Sequence, residues 1–264
     1  MIEVKERDID EIVEYLHRGV QNCIYMFVDI KKYRLSNPAM KVWVDRDDSG
    51  NLTCVVMKYH TGLSVYAEQD DYSLDEVISL VNELKPMSIT AKRTIVEKIE
   101  NAVRTQYNVL YGYVFRVDKF NDFGGKDIVE LAGEDDMLEC AKLIASNEEI
   151  GSYYEIENLA SQLRERIRTG MGRNYIIRDN GKIIGHIASY AELDDVATTS
   201  ALIVDQEHEG KMYGAVLESY IVNQLKKEGF NVYTYIIQKK RFKLLKNMGN
   251  NPVGEYGKMM RVEV

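Results

Sequence analysis

The chain has 264 residues, 45% hydrophobic and 29% charged, and carries a formal net charge of -8. That length fits one large domain or two ordinary ones, and the balance excludes an extended disordered chain. An acidic surface repels a phosphate backbone, so a nucleic-acid partner is not expected. In chain order, residues 8–18 and 23–32 read as helices. Residues 41–67 read as strands around the turn Asp47-Asp48-Ser49-Gly50-Asn51, which suits a hairpin. Residues 72–84 keep Leu74, Val77, Ile78 and Val81 at helical spacing after Ser73, a candidate N-cap. A short strand over 87–90, a helix over 93–104 and a strand over 111–117 complete the first half. Asn-Asp-Phe-Gly-Gly-Lys at 121–126 marks a boundary between domains 1–122 and 126–264.

The second half opens with a strand over 127–132 and helices over 134–146 and 156–169, the latter ended by Gly170. A second hairpin over 174–193 turns at Asp179-Asn180-Gly181-Lys182. Residues 198–204 are a strand, and 211–228 a helix with Tyr213, Leu217, Ile221 and Leu225 on one face and Gly229 after its end. A buried strand over 232–237, a helix over 239–247 stopped by Gly249, and a last strand in the tail follow. The hairpins are alike, and helix-like sequence precedes each, so the chain reads as a weak internal duplication.

Cys23, Cys54 and Cys140 are far apart and form no C-x-x-C, which reads as three reduced thiols. The four histidines show no metal-ligand spacing, so no metal is expected. The first residues are highly charged and lack the apolar core of a signal peptide, and no apolar run is long enough to span a bilayer. The expected setting is cytoplasmic, without membrane association.

The stretch with most chemistry is Val204-Asp-Gln-Glu-His-Glu-Gly-Lys-Met-Tyr-Gly-Ala-Val216. A strand runs into a glycine-containing turn and then a helix. The first N–H groups of a helix lack main-chain partners and sit at the positive end of its dipole, so such a turn receives anions. The turn and the order of elements resemble the GNAT superfamily of acyl-CoA-dependent N-acetyltransferases, over about residues 127–264. The family pattern R/Q-x-x-G-x-G/A aligns with Glu209, Gly210, Lys211, Met212, Tyr213 and Gly214. Gly210, Lys211, Tyr213 and Gly214 fit. Glu209 stands where a basic or amide residue is usual, and Met212 where the central glycine is. A second family pattern, N-x-x-A-x-x-L-Y followed by G-F, aligns with residues 238–249, with Gln238 for Asn, Arg241 for Ala and Leu245 for the Tyr that protonates the leaving thiolate in many relatives.

The resemblance implies an α/β (α+β) protein of two GNAT-like halves, each a mixed, mostly antiparallel sheet flanked by helices. The C-terminal half would carry the acyl-CoA site and the N-terminal half would be degenerate. The implied reaction is transfer of an acetyl group from acetyl-CoA to a primary amine by direct attack on the thioester. The acceptor is a small-molecule or peptide amine, and the protein a monomer or homodimer. The alternative is a non-catalytic acyl-CoA-binding sensor or scaffold of the same fold. The implied cofactor contacts are Leu202, Ile203, Val204, Glu209, Gly210, Lys211, Met212, Tyr213, Gly214, Gln238 and Arg241, with Ile203 or Val204 donating to the oxyanion. Lys239, Lys240, Arg241, Lys243 and Lys246 read equally as attraction for coenzyme A phosphates or as a solvated helix face. No base is assigned; Glu155, Glu192 and, as a stand-in acid, Tyr256 are the candidates. Tyr153 and Tyr154 read either as a substrate mouth or as packed loop aromatics, and His186 as a core residue.

Overall fold

A computed structural model of the chain describes residues 1–147, 151 and 155–262. The elements are β1 (Ile2–Glu3), α1 (Ile9–Arg18), α2 (Ile24–Tyr33), β2 (Met40–Arg46), β3 (Leu52–Tyr59), β4 (Gly62–Ala67), α3 (Leu74–Leu84), β5 (Ser88–Lys92), α4 (Arg93–Ala102) and β6 (Tyr107–Arg116). They continue with β7 (Glu130–Leu131), α5 (Met137–Ala145), α6 (Ile156–Arg168), β8 (Asn174–Asp179), β9 (Lys182–Ser189), β10 (Val196–Val204), α7 (Tyr213–Lys227), β11 (Asn231–Ile236), α8 (Lys239–Asn247) and β12 (Pro252–Arg261). The order β-α-α-β-β-β-α-β-α-β occurs twice, so the duplication suggested by the hairpins extends to every element. Among the described residues no helix is long and apolar enough to cross a membrane, and no group of His, Cys, Asp and Glu could hold a metal ion. All three cysteines are free and buried.

Two compact units divide the chain: Met1–Phe115, Ile236–Phe242 and Pro252–Val264 form the first, Arg116–Tyr235 and Lys243–Asn251 the second. Within the first unit the strand order is β1-β2-β3-β4-β5-β12-β6. Only β4 and β5 are parallel; the other neighbours run antiparallel. Trp43, Val56, Val65, Val77, Ile89, Ile95, Ile99 and Met259 fill its core. Helix α1 forms because Ile9, Ile12 and Leu16 recur at helical spacing, and all three are buried. Ser73 stands at the N-cap of α3 in extended conformation but makes no capping hydrogen bond.

The tail strand β12 was expected within the second half. It pairs instead with β5, Tyr256 to Met260 against Lys92 to Ser88, and with β6 on its other edge. The compact units are therefore not the contiguous segments 1–122 and 126–264. An alternating apolar pattern identifies a strand but carries no record of which sheet it enters.

In the second unit the order is β11-β10-β9-β8-β7, with β10 and β11 parallel and the rest antiparallel. The β8–β9 turn places Asn180 at φ 49 and Gly181 at φ 82, the left-handed pair that a two-residue hairpin requires. Ile176 and Ile177 face opposite sides of the sheet. Ile176 and Ile203 pack with Cys140, Ala141 and Ile144 of α5 and Leu163 of α6. Ile177, Ile184 and Ile187 pack with Leu217, Ile221 and Leu225 of α7. The buried face of α7 is wider than the sequence stripe, because Glu218 and Ser219 are buried as well. Gly229, at φ 95, follows α7 as expected.

Candidate active site

Strand β10 makes two departures from a regular ladder. Its parallel pairing with β11 runs from Val196–Asn231 to Thr199–Thr234 and stops, while β10 continues to Val204. Its register with β9 also shifts between Ser200 and Ile203. Inside that bulge Ala201 adopts φ 50, a left-handed conformation that costs a residue with a Cβ roughly 1–2 kcal/mol. Main-chain groups of β10 therefore open on the edge where β11 has departed. Asp205 N–H donates to Ile184 O at 2.8 Å, and alternation along the strand turns the Ile203 N–H to β9 as well. The amides of Leu202 and Val204 alternate to the other edge.

Beyond β10, Asp205 caps a short 3-10 turn at Gln206–His208 by accepting from Glu207 N at 3.1 Å. Lys182 holds the same carboxylate at 2.8 Å and lowers its pKa. The chain then passes through Gly210 at φ 81 and Met212 at φ 64, ψ 4 before α7 begins. The first main-chain bond into α7 is Val216 N–H to Met212 O at 3.0 Å. Among the described residues, no main-chain acceptor outside the helices and strands takes the N–H groups of residues 210–215. Five of these residues, Gly210 and Met212 to Ala215, line a cavity of about 390 Å³ together with Val204, His208 and Glu209. A Cβ added at Gly210 meets nothing within 4 Å, and one at Gly214 meets only ordinary contacts, Val204 Cγ2 at 3.6 Å and Leu202 at 3.9 Å. The protein itself does not demand glycine at 214, which leaves room for a ligand to approach the backbone.

Met212 stands where the family pattern has its central glycine. Its backbone takes the left-handed conformation that glycine supplies freely, and its side chain is 56% exposed. Glu209 is extended and exposed at the rim. His208, which sequence reasoning left unassigned, lines the cavity with its Nε2 3.2 Å from Asp179 and its Nδ1 3.7 Å from Asp205. Its position inside the 204–216 stretch was the only signal available.

The candidate acid–base residues are not gathered at this cavity. Glu192 is held by Arg173, with Nε 2.9 Å from Oε1, and also accepts from the Ser189 hydroxyl. Only 8% of its side chain is exposed, and a carboxylate so engaged has no lone pair turned to a substrate. Glu155 stands exposed before α6 and makes no capping bond. Tyr256 is buried in the first unit's sheet, where burial pushes its phenol up. Tyr153 and Tyr154 lie outside the described residues. Gln238 and Arg241 belong to the segment Ile236–Phe242 of the first unit, and neither is among the residues that line the cavity. Gln238 O accepts from Phe242 N at 3.1 Å at the start of α8. Leu245, at the position of the family's tyrosine, is buried, while Lys239, Lys240, Lys243 and Lys246 are exposed.

Residues 138–243 match the model of the acetyltransferase (GNAT) family. The chain carries a GNAT domain. Solved structures of similar fold span almost all of it. A Drosophila protein matches with a TM-score of 0.67 and 11% identity, over 98% of this chain and 97% of its own. A tandem GNAT protein from the clavulanic acid biosynthesis pathway matches with a TM-score of 0.61 and 11% identity, over 98% and 96%. A putative GNAT-family acetyltransferase from Novosphingobium aromaticivorans matches with a TM-score of 0.55 and 13% identity, over 92% and 99%. No curated protein matches the sequence. The GNAT family implies acyl-CoA-dependent acyl transfer, and the two-half architecture fits the tandem GNAT fold.

Proposed function

We propose that this chain is an N-acetyltransferase that moves an acetyl group from acetyl-CoA to a primary amine. The reading rests on one arrangement: a bulged strand that leaves its parallel neighbour and runs into a glycine turn, whose amides border a cavity at the start of α7. The amides from Gly210 to Ala215 fit the pyrophosphate of coenzyme A, because they are donors at a helix N-terminus with no Cβ at Gly210 or Gly214. Leu202 and Val204 supply the β10 amides that face the acyl-thioester arm. Ile203, expected as an alternative donor, spends its N–H on β9 and contributes packing.

The thioester supplies an activated acyl carbon. The amine nitrogen bonds to that carbon, the C–S bond breaks, and the sulfur departs with its electron pair. The nitrogen loses a proton, which a base or a water chain carries away. The β10 amides hold charge on the carbonyl oxygen as it develops. Within this reading, residues 126–264 are the acetyltransferase segment and 1–122 a degenerate counterpart. The setting is cytoplasmic, with no metal, membrane or nucleic acid involved.

Calorimetry with acetyl-CoA and with coenzyme A tests binding, and thiol release against an amine panel tests transfer. Saturable binding with amine-dependent thiol release supports the reading; absence of binding refutes it. A second reading, an acyl-CoA sensor of the same fold, is favoured by the engagement of Glu192 and the burial of Leu245. It predicts binding without thiol release for every amine.

A further inference from the structure

His186 lies mid-strand in β9, fully buried, and was read from sequence as a core residue. Its ring makes two contacts that packing alone does not call for. Nδ1 is 2.9 Å from the carbonyl oxygen of Ala201, and Nε2 is 2.9 Å from Oδ1 of the Asn174 side chain, which is itself buried. Ala201 is the left-handed residue of the β10 bulge.

A carbonyl only accepts, so Nδ1 must carry the hydrogen. Burial lowers the pKa of His186 to about 4, so the ring is neutral at neutral pH. A neutral ring has one donor, and Nε2 is therefore an acceptor. Nε2 then needs a donor, and the Asn174 amide supplies one by turning over, so that its Nδ2 takes the place of Oδ1 in an amide whose two ends are nearly equal in shape. The Ala201 carbonyl selects the tautomer, and the turned Asn174 amide holds it.

The peptide joining Ala201 to Leu202 is planar and trans, so its C=O and N–H point in opposite directions. His186 sits opposite Ile176, on the face of the sheet that packs against α5 and α6. Drawing the Ala201 oxygen towards that face turns the Leu202 N–H away from it. Leu202 packs with the α7 cluster, and its side chain is 3.9 Å from the place a Cβ would take at Gly214.

We propose that His186, oriented by Asn174, is a positioning residue that locks the Ala201–Leu202 peptide so that the Leu202 amide is aimed at the thioester carbonyl. The assignment rests on the acyl-CoA reading for its substrate. The clamp itself rests only on the geometry of the second unit. It places the strained Ala201 on the functional side of the fold: the bulge is held by a buried side chain before any ligand arrives.

The test uses the full chain and three measurements. Ring nitrogen shifts of His186, from long-range 1H–15N spectra of the ligand-free protein, should show Nδ1 protonated and Nε2 bare at pH 7. The Nε2–H tautomer overturns the clamp whatever the protein binds. His186→Leu should lower kcat by about tenfold or more while KM for acetyl-CoA moves far less, the loss expected when an oxyanion donor is misaimed. His186→Asn, whose Nδ2 occupies the place of the ring Nδ1, should restore most of that loss. A folded His186→Leu with unchanged kcat, or a folded His186→Asn no better than His186→Leu, overturns the proposal. If His186→Leu does not fold, His186→Asn and the tautomer decide it. If the wild type binds no acetyl-CoA, the functional reading fails, and the tautomer still decides the clamp.

Discussion

The two halves of the chain run through the same ten elements and place their one parallel strand pair at the same point, β4 with β5 and β10 with β11. They part at the connection that follows. In the first half β3 and β4 stay in register from Cys54–Ala67 to Tyr59–Gly62, with no bulge. The turn carries Glu68, Asp70 and Asp71 and no glycine. Glu68 N–H donates to the Tyr15 hydroxyl at 2.9 Å, and Glu68 O accepts from Lys92 Nζ at 2.9 Å. In the second half Ala201, Gly210 and Met212 take left-handed conformations, and among the described residues no main-chain acceptor outside the helices and strands takes the amides of residues 210–215. A shared frame thus yields an acidic turn after an unbulged strand in one half and a glycine-containing turn after a bulged strand in the other. Each turn lines a cavity, and what separates them is charge and backbone conformation: Glu68, Asp70 and Asp71 repel an anion, whereas Gly210 and Met212 take the left-handed conformation before a helix start.

The largest expected effect comes from closing the receptive turn. Gly210→Trp puts an indole into the cavity and asks a residue with a Cβ to hold φ 81. Calorimetry should find acetyl-CoA binding weakened by about a hundredfold or more, well beyond the roughly 1–2 kcal/mol of backbone strain. Asp70→Trp, in the acidic turn of the first half, should leave binding within about twofold, since interactions of this kind rarely couple between independent sites. Equal losses in both variants would break the comparison.

Next in size is the pH dependence of the bulge. The folded-state pKa of His186, about 4, lies below the ordinary value of 6.5, so the unfolded chain binds the extra proton first. The stability associated with the neutral buried ring is complete above about pH 6.5 and is lost as pH falls towards 4. Denaturant titrations at pH 7 and pH 4.5 should therefore diverge by roughly 2–3 kcal/mol more in the wild type than in His186→Asn. Equal pH profiles would mean that the ring is not held neutral.

Much of this was readable beforehand. The helical spacing of Leu217, Ile221 and Leu225, the turn at Asn180-Gly181 and the strand–turn–helix around Gly210 each encode a local rule, and each appears as expected. The partners of β12 were not readable, because strand pairing is a tertiary choice among several apolar edges. The clamp on Ala201 was not readable either. It joins Asn174, His186 and Ala201, which lie far apart in sequence and meet only through the β8–β9–β10 register. Asn250 is a similar case. Its side chain accepts from Asp118 N and Lys119 N at 2.9 Å each, a bond across more than a hundred residues that no local motif announces.

A smaller effect separates the two intruders in the receptive turn. Met212 holds φ 64 without the freedom of glycine, so Met212→Gly relieves left-handed strain and adds back unfolded-chain entropy. The two nearly offset, and the expected gain is a few tenths to about 1 kcal/mol in denaturant titration. A loss of stability would mean that the exposed Met212 side chain contributes packing the backbone strain conceals.

An effect of similar size belongs to Glu209, and it is one of charge alone. Its carboxylate is exposed at the rim of the cavity, next to Gly210, where a pyrophosphate would bring negative charge. At the dielectric of a solvated surface and a separation of several ångströms, the repulsion is about 1 kcal/mol, or roughly fivefold in affinity. Glu209→Gln removes the charge and keeps the shape. Coenzyme A should then bind about fivefold tighter at low salt, and the gain should fade near 1 M salt, where the screening length falls to about 3 Å. A gain that survives high salt would point to a hydrogen bond donated by the new amide in place of relieved repulsion.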